Sequence, residues 1–442
     1  MADTFDTIIH LVSDQTMQNV LPILALRPRR VIQVHSPSQS FVAKAQHTRD
    51  AVALAQQTVP TLGKGAPAIE WEKVALHNPF PGLADTAAVI RPMLARGELG
   101  RICVNYTGGT KNMSIGAWNA ANEAGAATLY CDTPRAFLSG GTGEISFPAA
   151  LKDVAVLLNC QVVLASRGLL QTRDWNNKSI SDHELNLGST GYRLLQVYRG
   201  AFRAYRASLA AHEGLDRLGR RQQDTNVQSL VDATNRIISK PVEMPPARFP
   251  LMLGYLEAAE KCGFVRRNEG RWFIGTHDDL ESDDCDIRVE RLIRVRTGLV
   301  GGAFEAFVAQ RLNDSMKADG RFTDVLANVE ASTDSVNRGS GMGETDFLVY
   351  SPSDIGLTLI SCKCTPPLLE HLEAIVARRA RLGGLNARSL LCVEWSWPRR
   401  RDEVSGWCRS LQIDCAFSFV DGSEQVDLVH AFKSAVTKLP MR

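Results

Sequence analysis

A chain of 442 residues is too long for one hydrophobic core, so two or three domains are expected. Its composition, 44% hydrophobic and 22% charged, is that of an ordinary globular protein. With 50 basic and 48 acidic side chains the net charge is +2, which excludes wholesale polyanion binding and leaves only local basic surfaces. No apolar run reaches the ~18 residues of a membrane span. The ten cysteines include no Cys-x-x-Cys pair and follow no secretory leader, so reduced thiols in a cytoplasm are expected.

In chain order, Thr7–Val12 is a short apolar strand that runs into Ser13-Asp14-Gln15-Thr16 and a helical stretch. Val31–Val34 is a second strand, ending at His35-Ser36-Pro37-Ser38, and a helix follows from Phe41 to about Thr58. Ile69–Leu76 is a third strand, with a helix over about Asp85–Arg96. Arg101–Tyr106 is a buried strand. It feeds a tight turn, Thr107-Gly108-Gly109-Thr110, and a helix that opens at Lys111 or Asn112. Thr128–Asp132 and Glu144–Phe147 close the series.

Strands alternating with helices imply a parallel, doubly wound α/β sheet. In such sheets ligands sit outside the carboxyl ends of the strands, where the strand order reverses. Three strand ends carry polar groups: Ser13, Asp14 and Gln15; Ser36 and Ser38; and Thr107 to Lys111. At the third, a helix opening directly after a glycine turn offers backbone N–H groups and a positive dipole end, with two hydroxyls and a lysine beside them. That is a phosphate cradle. The sequence T-G-G-T-K fits neither G-x-G-x-x-G nor G-x-x-x-x-G-K-[ST], so a dinucleotide or Walker-type site is not indicated.

A strand ending in T-G-G-T-K-x-M, with a Ser-Asp loop after the first strand, resembles the CARF domain (CRISPR-associated Rossmann fold). The resemblance implies a homodimer that binds a cyclic oligoadenylate, cyclic tetra-adenylate in the first instance, across its two-fold axis. It places Thr107, Gly108, Gly109, Thr110 and Lys111 on the phosphates or ribose. Ser13, Asp14 and Gln15 line the adenine side, with Ser36 nearby. Residues 1–166 are assigned to this sensor domain.

Residues 167–286 read as a linking domain. Gly191–Leu218 is helical, Pro241–Pro246 is rigid punctuation, and Phe249–Cys262 is an amphipathic helix. Gly263–Ile274 then forms two short strands around Asn268-Glu269-Gly270. Helix followed by hairpin is a winged-helix-like pattern, with Arg266, Arg267 and Arg271 on the wing. Arg206 and His212 also fit the R-x(4–6)-H spacing of metal-independent HEPN ribonucleases.

Residues 287–442 carry reaction chemistry. Glu305 lies in the first turn of the apolar helix AFEAFVAQRL. Gly343-Glu344-Thr345-Asp346 leads into a strand, Ser351–Gly356 turns the chain, and Lys363 ends the next strand, before the helix HLEAIVARRARLGG. A glutamate helix, a hairpin with Asp then Lys, and a helix together resemble the PD-(D/E)xK nuclease core, a restriction-endonuclease-like α/β domain. The resemblance implies Mg2+ or Mn2+ held by Glu305 and Asp346, with Lys363 as the catalytic lysine. Ser361 stands where that family has a carboxylate. Strand alternation puts Ser361 and Lys363 on one face and Glu344 on the face of Asp346, so Glu344 is a candidate replacement ligand. Arg378, Arg379 and Arg381 on one helix, and Arg399–Arg401 after Trp395 and Trp397, could attract and stack a single strand.

The domain order resembles the CARF nucleases of type III CRISPR antiviral defence. It implies an enzyme, a metal-dependent endonuclease on DNA or RNA that cyclic oligoadenylate switches on. Two alternatives stay open: a non-catalytic CARF/winged-helix regulator that binds duplex DNA, and a ribonuclease using Arg206 and His212.

Overall fold

The computed structural model describes residues 5–133, 137–140, 151–171, 265–268, 271–274, 305, 308–309, 312, 322–329, 331–332, 345–353, 355–363, 367–383, 387–394 and 400–418. The N-terminal region, Thr7–Gly140, holds a six-stranded sheet. Its strands are β1 (Thr7–Leu11), β2 (Arg30–His35), β3 (Glu70–Ala75), β4 (Ile102–Asn105), β5 (Ala127–Asp132) and β6 (Phe137–Gly140), in the order β3-β2-β1-β4-β5-β6. The first five run parallel and β6 closes the sheet antiparallel. The closing strand expected at Glu144–Phe147 lies outside the described residues.

β1 and β2 are buried almost throughout and read as continuous β-branched runs because both faces of the sheet are covered. Alternate residues go to opposite layers. Ile9, Leu11, Ile32, Val34 and Val104 pack on α4 (Leu83–Leu94) and α5 (Lys111–Glu123). Ile8, Val31 and Cys103 pack on α1 (Met17–Leu26) and α2 (Gln39–Thr58). A single turn, α3 (Pro60–Gly63), follows α2. The edge strand β3 is Glu-Trp-Glu-Lys and only partly buried, a charged edge that discourages further pairing. Gly116 lets α5 approach α4 closely: a Cβ there would lie 2.4 Å from the Leu83 carbonyl oxygen.

Two short helices, α6 (Leu151–Ala155) and α7 (Cys160–Ser166), follow, then β7 (Leu170–Gln171). In the middle region β8 (Val265–Asn268) and β9 (Arg271–Ile274) form the antiparallel hairpin read from the sequence. The helices expected before it, and Arg206 and His212, lie outside the described residues.

A second sheet follows, built from β10 (Asp324–Val329), β12 (Thr345–Ser351), β13 (Gly356–Lys363), β14 (Arg388–Glu394) and β15 (Asp414–Ser418), ordered β10-β12-β13-β14-β15. β10, β12 and β13 are antiparallel; β13, β14 and β15 are parallel. The parallel crossovers carry α8 (Leu369–Gly383) and α9 (Arg401–Ser410). A short strand β11 (Ala331–Ser332) pairs with β7. The hairpin turn falls at Ser351–Gly356 as read, with Ile355 at φ 50°.

The two sheets share one core. Leu348, Tyr350, Leu357 and Leu359 of the second sheet belong to the same buried cluster as α1, α2, α6 and α7 of the first. The opposite face, with Phe347, Val349, Ile360 and Cys362, packs on Val308, Ala309 and Leu312. Their i, i+1, i+4 spacing falls on one face of a helix, and the described residues 305, 308, 309 and 312 are helical. No helix among the described residues is long and apolar enough to cross a membrane.

Candidate sensor and nuclease sites

The strand order reverses between β1 and β4, and the polar residues read from the sequence gather at the carboxyl ends of these two strands. Gly108 shows how tightly the loops meet. A Cβ at this position would lie 2.1 Å from the Leu11 carbonyl oxygen and 3.4 Å from Ser13 Cβ, so only glycine admits the approach. Gly109 adopts φ 76°, the left-handed region, at the last bend before α5. Thr110 caps α5, its hydroxyl accepting from the Met113 N–H at 3.3 Å. Ser114 ties the turn down, its hydroxyl donating to the Gly108 carbonyl at 2.9 Å. Lys111 is exposed at the first position of the helix, where the other first-turn N–H groups have no acceptor within the helix.

In the loop after β1, Ser13 Oγ accepts from the Gln15 N–H at 3.3 Å, and the Gln15 side chain accepts from Gln18 at 2.7 Å. Asp14 is exposed and pairs with Lys44 of α2. Ser36, buried at the end of β2, neighbours this loop along the sheet, Val12 N–H donating to the Val34 carbonyl at 2.9 Å.

Thr107 is placed differently from its neighbours. Its hydroxyl donates to Asn105 Oδ1 at 2.6 Å and accepts from the Cys131 N–H at 2.7 Å, so both functions are spent inside the protein. Thr107 thereby clamps the turn to β5. Asn105, which the sequence reading passed over, organises this clamp. Its Oδ1 also takes the Thr107 N–H at 3.1 Å, and its Nδ2 donates to the Gln18 carbonyl at 2.9 Å and to His10 Nδ1 at 3.0 Å. Asn105 and His10 are both fully buried, and burial pushes the His10 ring down to about 3, so it is neutral. A buried Asn at the end of an apolar strand was the available signal.

In the second sheet, Asp346 begins β12 and Lys363 ends β13. The antiparallel rungs stop at Phe347↔Ile360. Beyond them the Asp346 carboxylate replaces the next rung. Its Oδ2 accepts from the Cys362 N–H at 2.5 Å and from the Ser361 hydroxyl at 3.1 Å. Alternation puts Asp346, Ser361 and Lys363 on the face of Leu348 and Leu359. The buried Cys362 thiol is raised well above its usual range, first by burial, then by Cys392, Asp346 and Glu305. Two of the expected carboxylates therefore act on one sulfur, Asp346 from the strand and Glu305 from the helix over the opposite face. Glu344 lies outside the described residues. Among the described residues no three acidic, His or Cys side chains converge as a metal cluster. Asp346 and the Ser361 hydroxyl, on one face, offer hard oxygen donors of the kind Mg2+ and Mn2+ accept while keeping several waters, whereas the Glu305 helix stands over the other face.

The basic clusters divide. Arg379 donates to the Gln412 carbonyl at 2.5 Å and to the Leu411 carbonyl at 3.3 Å, which fastens α8 to the loop before β15. Arg400 pairs with Glu403 at 2.9 Å, and Arg401 lies 5.5 Å from the Phe417 ring. Trp395, Trp397 and Arg399 lie outside the described residues.

Residues 7–138 match the family model of the Card1 CARF domain. The N-terminal domain is a CARF domain. Among solved structures, Can2 from Sulfobacillus thermosulfidooxidans, in complex with cyclic tetra-adenylate, resembles the chain with a TM-score of 0.59 at 16% identity. It covers 98% of this chain and 100% of Can2. Protein VC1899 from Vibrio cholerae resembles it with a TM-score of 0.60 at 15% identity, covering 97% of this chain and 98% of the other. The fold is thus shared along nearly the whole length of these chains. No curated protein sequence matches.

Proposed function

We propose that the chain is a cyclic oligoadenylate-activated, metal-dependent nuclease of type III CRISPR defence. The observation that carries the reading is the pairing on one core of a glycine turn opening a helix in a CARF domain with an Asp346–Ser361–Lys363 face in the second sheet. Can2 holds cyclic tetra-adenylate, and a ligand of that class suits this cradle. Its phosphates meet the N-terminus of α5 and Lys111, where the helix dipole favours negative charge. Ser13, Asp14 and Gln15 offer backbone and side-chain groups to the base. A ring with two-fold symmetry bridges two copies naturally, so the working unit is a homodimer.

At the second site, Asp346 Oδ1 and Glu344, which strand alternation puts on the face of Asp346, would hold Mg2+ or Mn2+, which when bound supplies an activated water and neutralises phosphate charge. The protein's own groups do the rest. Ser361 and the Cys362 N–H fix the Asp346 carboxylate through Oδ2, which leaves Oδ1 outside that pair of hydrogen bonds. Lys363, two residues along the same face as Ser361, offsets charge that develops on the phosphodiester. The ligand activates by binding the cleavage-competent arrangement more tightly than the resting one.

Incubation with plasmid, single-stranded DNA and RNA, with and without cyclic tetra- and hexa-adenylate, in Mn2+ or in EDTA, tests the reading. Cleavage that requires both ligand and metal supports it. Cleavage in EDTA points instead to Arg206 and His212, and duplex DNA that is retarded but uncut points to a regulator.

A further inference from the structure

The loop after β1 and the strand that carries Asp346 are held by opposite ends of one short element, α6–α7. At the sensor end, the buried Thr16 hydroxyl donates to the Ser166 carbonyl, and the Arg167 guanidinium donates to the Asp14 carbonyl at 3.1 Å. At the other end, the Cys160 N–H donates to Asp324 Oδ2 of β10 at 2.8 Å, and the Cys160 thiol lies 3.5 Å from the Leu348 carbonyl of β12. The Tyr350 hydroxyl, from the same strand, donates to the Ala155 carbonyl at 2.8 Å. Asn159 caps α7, accepting from the Val162 N–H at 2.9 Å, which makes the helix a well-formed strut.

The distances are short. Seven helical residues span roughly 10 Å. Leu348 precedes Tyr350 and follows Asp346 on one strand face, each step about 7 Å. A displacement of the Asp14–Thr16 loop therefore reaches the backbone beside Asp346 through one helix and one strand. Cys160, Val163, Leu164, Leu348 and Tyr350 along this path are buried in a single hydrophobic cluster, which transmits strain rather than absorbing it.

We propose that Thr16, Arg167, Cys160, Asp324 and Tyr350 are positioning residues that couple the sensor loop to the Asp346 strand through α7. The inference rests on the sensor–nuclease reading for its ligand, but the mechanical coupling stands on the contacts themselves. Coupling between binding sites is reciprocal, so a change at the nuclease end must be felt at the sensor end. A purely local packing role for Tyr350 has no such consequence.

The test uses full-length Tyr350→Phe, with Asp324→Asn as a second variant should the first fold poorly. Ligand-free hydrogen exchange is followed over residues 13–19, with residues 83–123 as an internal control, and cyclic tetra-adenylate affinity is measured by calorimetry. Faster exchange confined to residues 13–19, with affinity shifted by about 2- to 30-fold, is the expected result. Unchanged exchange in both variants, or altered exchange with unaltered affinity, overturns the coupling. A wild-type chain that ignores the ligand overturns the sensor reading alone, and the exchange result then decides the coupling by itself.

Discussion

Replacing Gly108 with alanine sets a methyl carbon 2.1 Å from the Leu11 carbonyl oxygen, more than 1 Å short of ordinary van der Waals contact. The obstacle is backbone on a central strand, so the turn and the end of β1 must separate. Overpacking of this kind costs about 1–3 kcal/mol. At 2–4 °C per kcal/mol for a domain of this size, the expected fall in Tm is about 2–12 °C. The same separation moves Ser13 away from the cradle, and a loss of 1.4 kcal/mol in ligand binding is tenfold in Kd. Gly97→Ala is the matched control, because a Cβ there meets nothing within 4 Å. It should raise Tm by about 1–4 °C, since a glycine replaced without strain stabilises by about 0.4–1 kcal/mol. Thermal melts and titration with cyclic tetra-adenylate read both effects. A Gly108→Ala protein that melts with the control and binds ligand as the wild type does would refute the argument that the two loops form one tight cradle.

Lys111→Ala should abolish ligand-stimulated cleavage and weaken cyclic tetra-adenylate binding by about tenfold or more, while Tm stays put because the side chain is exposed; unimpaired stimulation would remove it from the cradle. Asp346→Asn should lower cleavage by at least about 100-fold, since even outer-shell partners of a metal cost 10–100-fold, and should leave ligand affinity intact; retained cleavage would move the metal elsewhere. His10 gives a pH signature. Its folded value of about 3 lies below the ordinary 6.5, so below pH 6.5 the unfolded chain takes up a proton that the folded chain refuses. Stability is full above pH 6.5 and falls toward pH 3, by about 2 kcal/mol at pH 5. Melting between pH 7 and 5 should show a shallower loss for His10→Gln than for the wild type, and equal slopes would exclude the assignment.

The strand–turn–helix around Thr107 to Lys111 was legible because its signals are local: an apolar strand, two glycines and a capping threonine within ten residues. The hairpin from Asp346 to Lys363 was legible for the same reason, and strand alternation placed Ser361 with Lys363 and Glu344 with Asp346, while the common face of Asp346 and Ser361 follows only from the pairing register. What escaped was long-range. Asn105 and Thr107 look like polar residues at a strand end, and only the fold shows that Thr107 faces inward to Cys131 while Lys111 faces out. Arg379 read as part of a basic patch, yet its hydrogen bonds to Leu411 and Gln412 depend on where the loop before β15 returns. The expectation of separate sensor and nuclease domains likewise could not reveal that Tyr350 is buried against α6, because the contact joins residues nearly 200 positions apart.

In the proposed mechanism, one molecule couples a phosphate-ligand cradle to a metal-dependent cleavage centre. The most direct measurement of that coupling is the rate of cleavage of single-stranded and plasmid DNA by the full-length protein, across a titration of cyclic tetra-adenylate in Mn2+, repeated in EDTA and with Asp346→Asn. The account expects a rate that rises with ligand, vanishes in EDTA and vanishes in the variant. Cleavage indifferent to ligand, or surviving in EDTA and in Asp346→Asn, would contradict it.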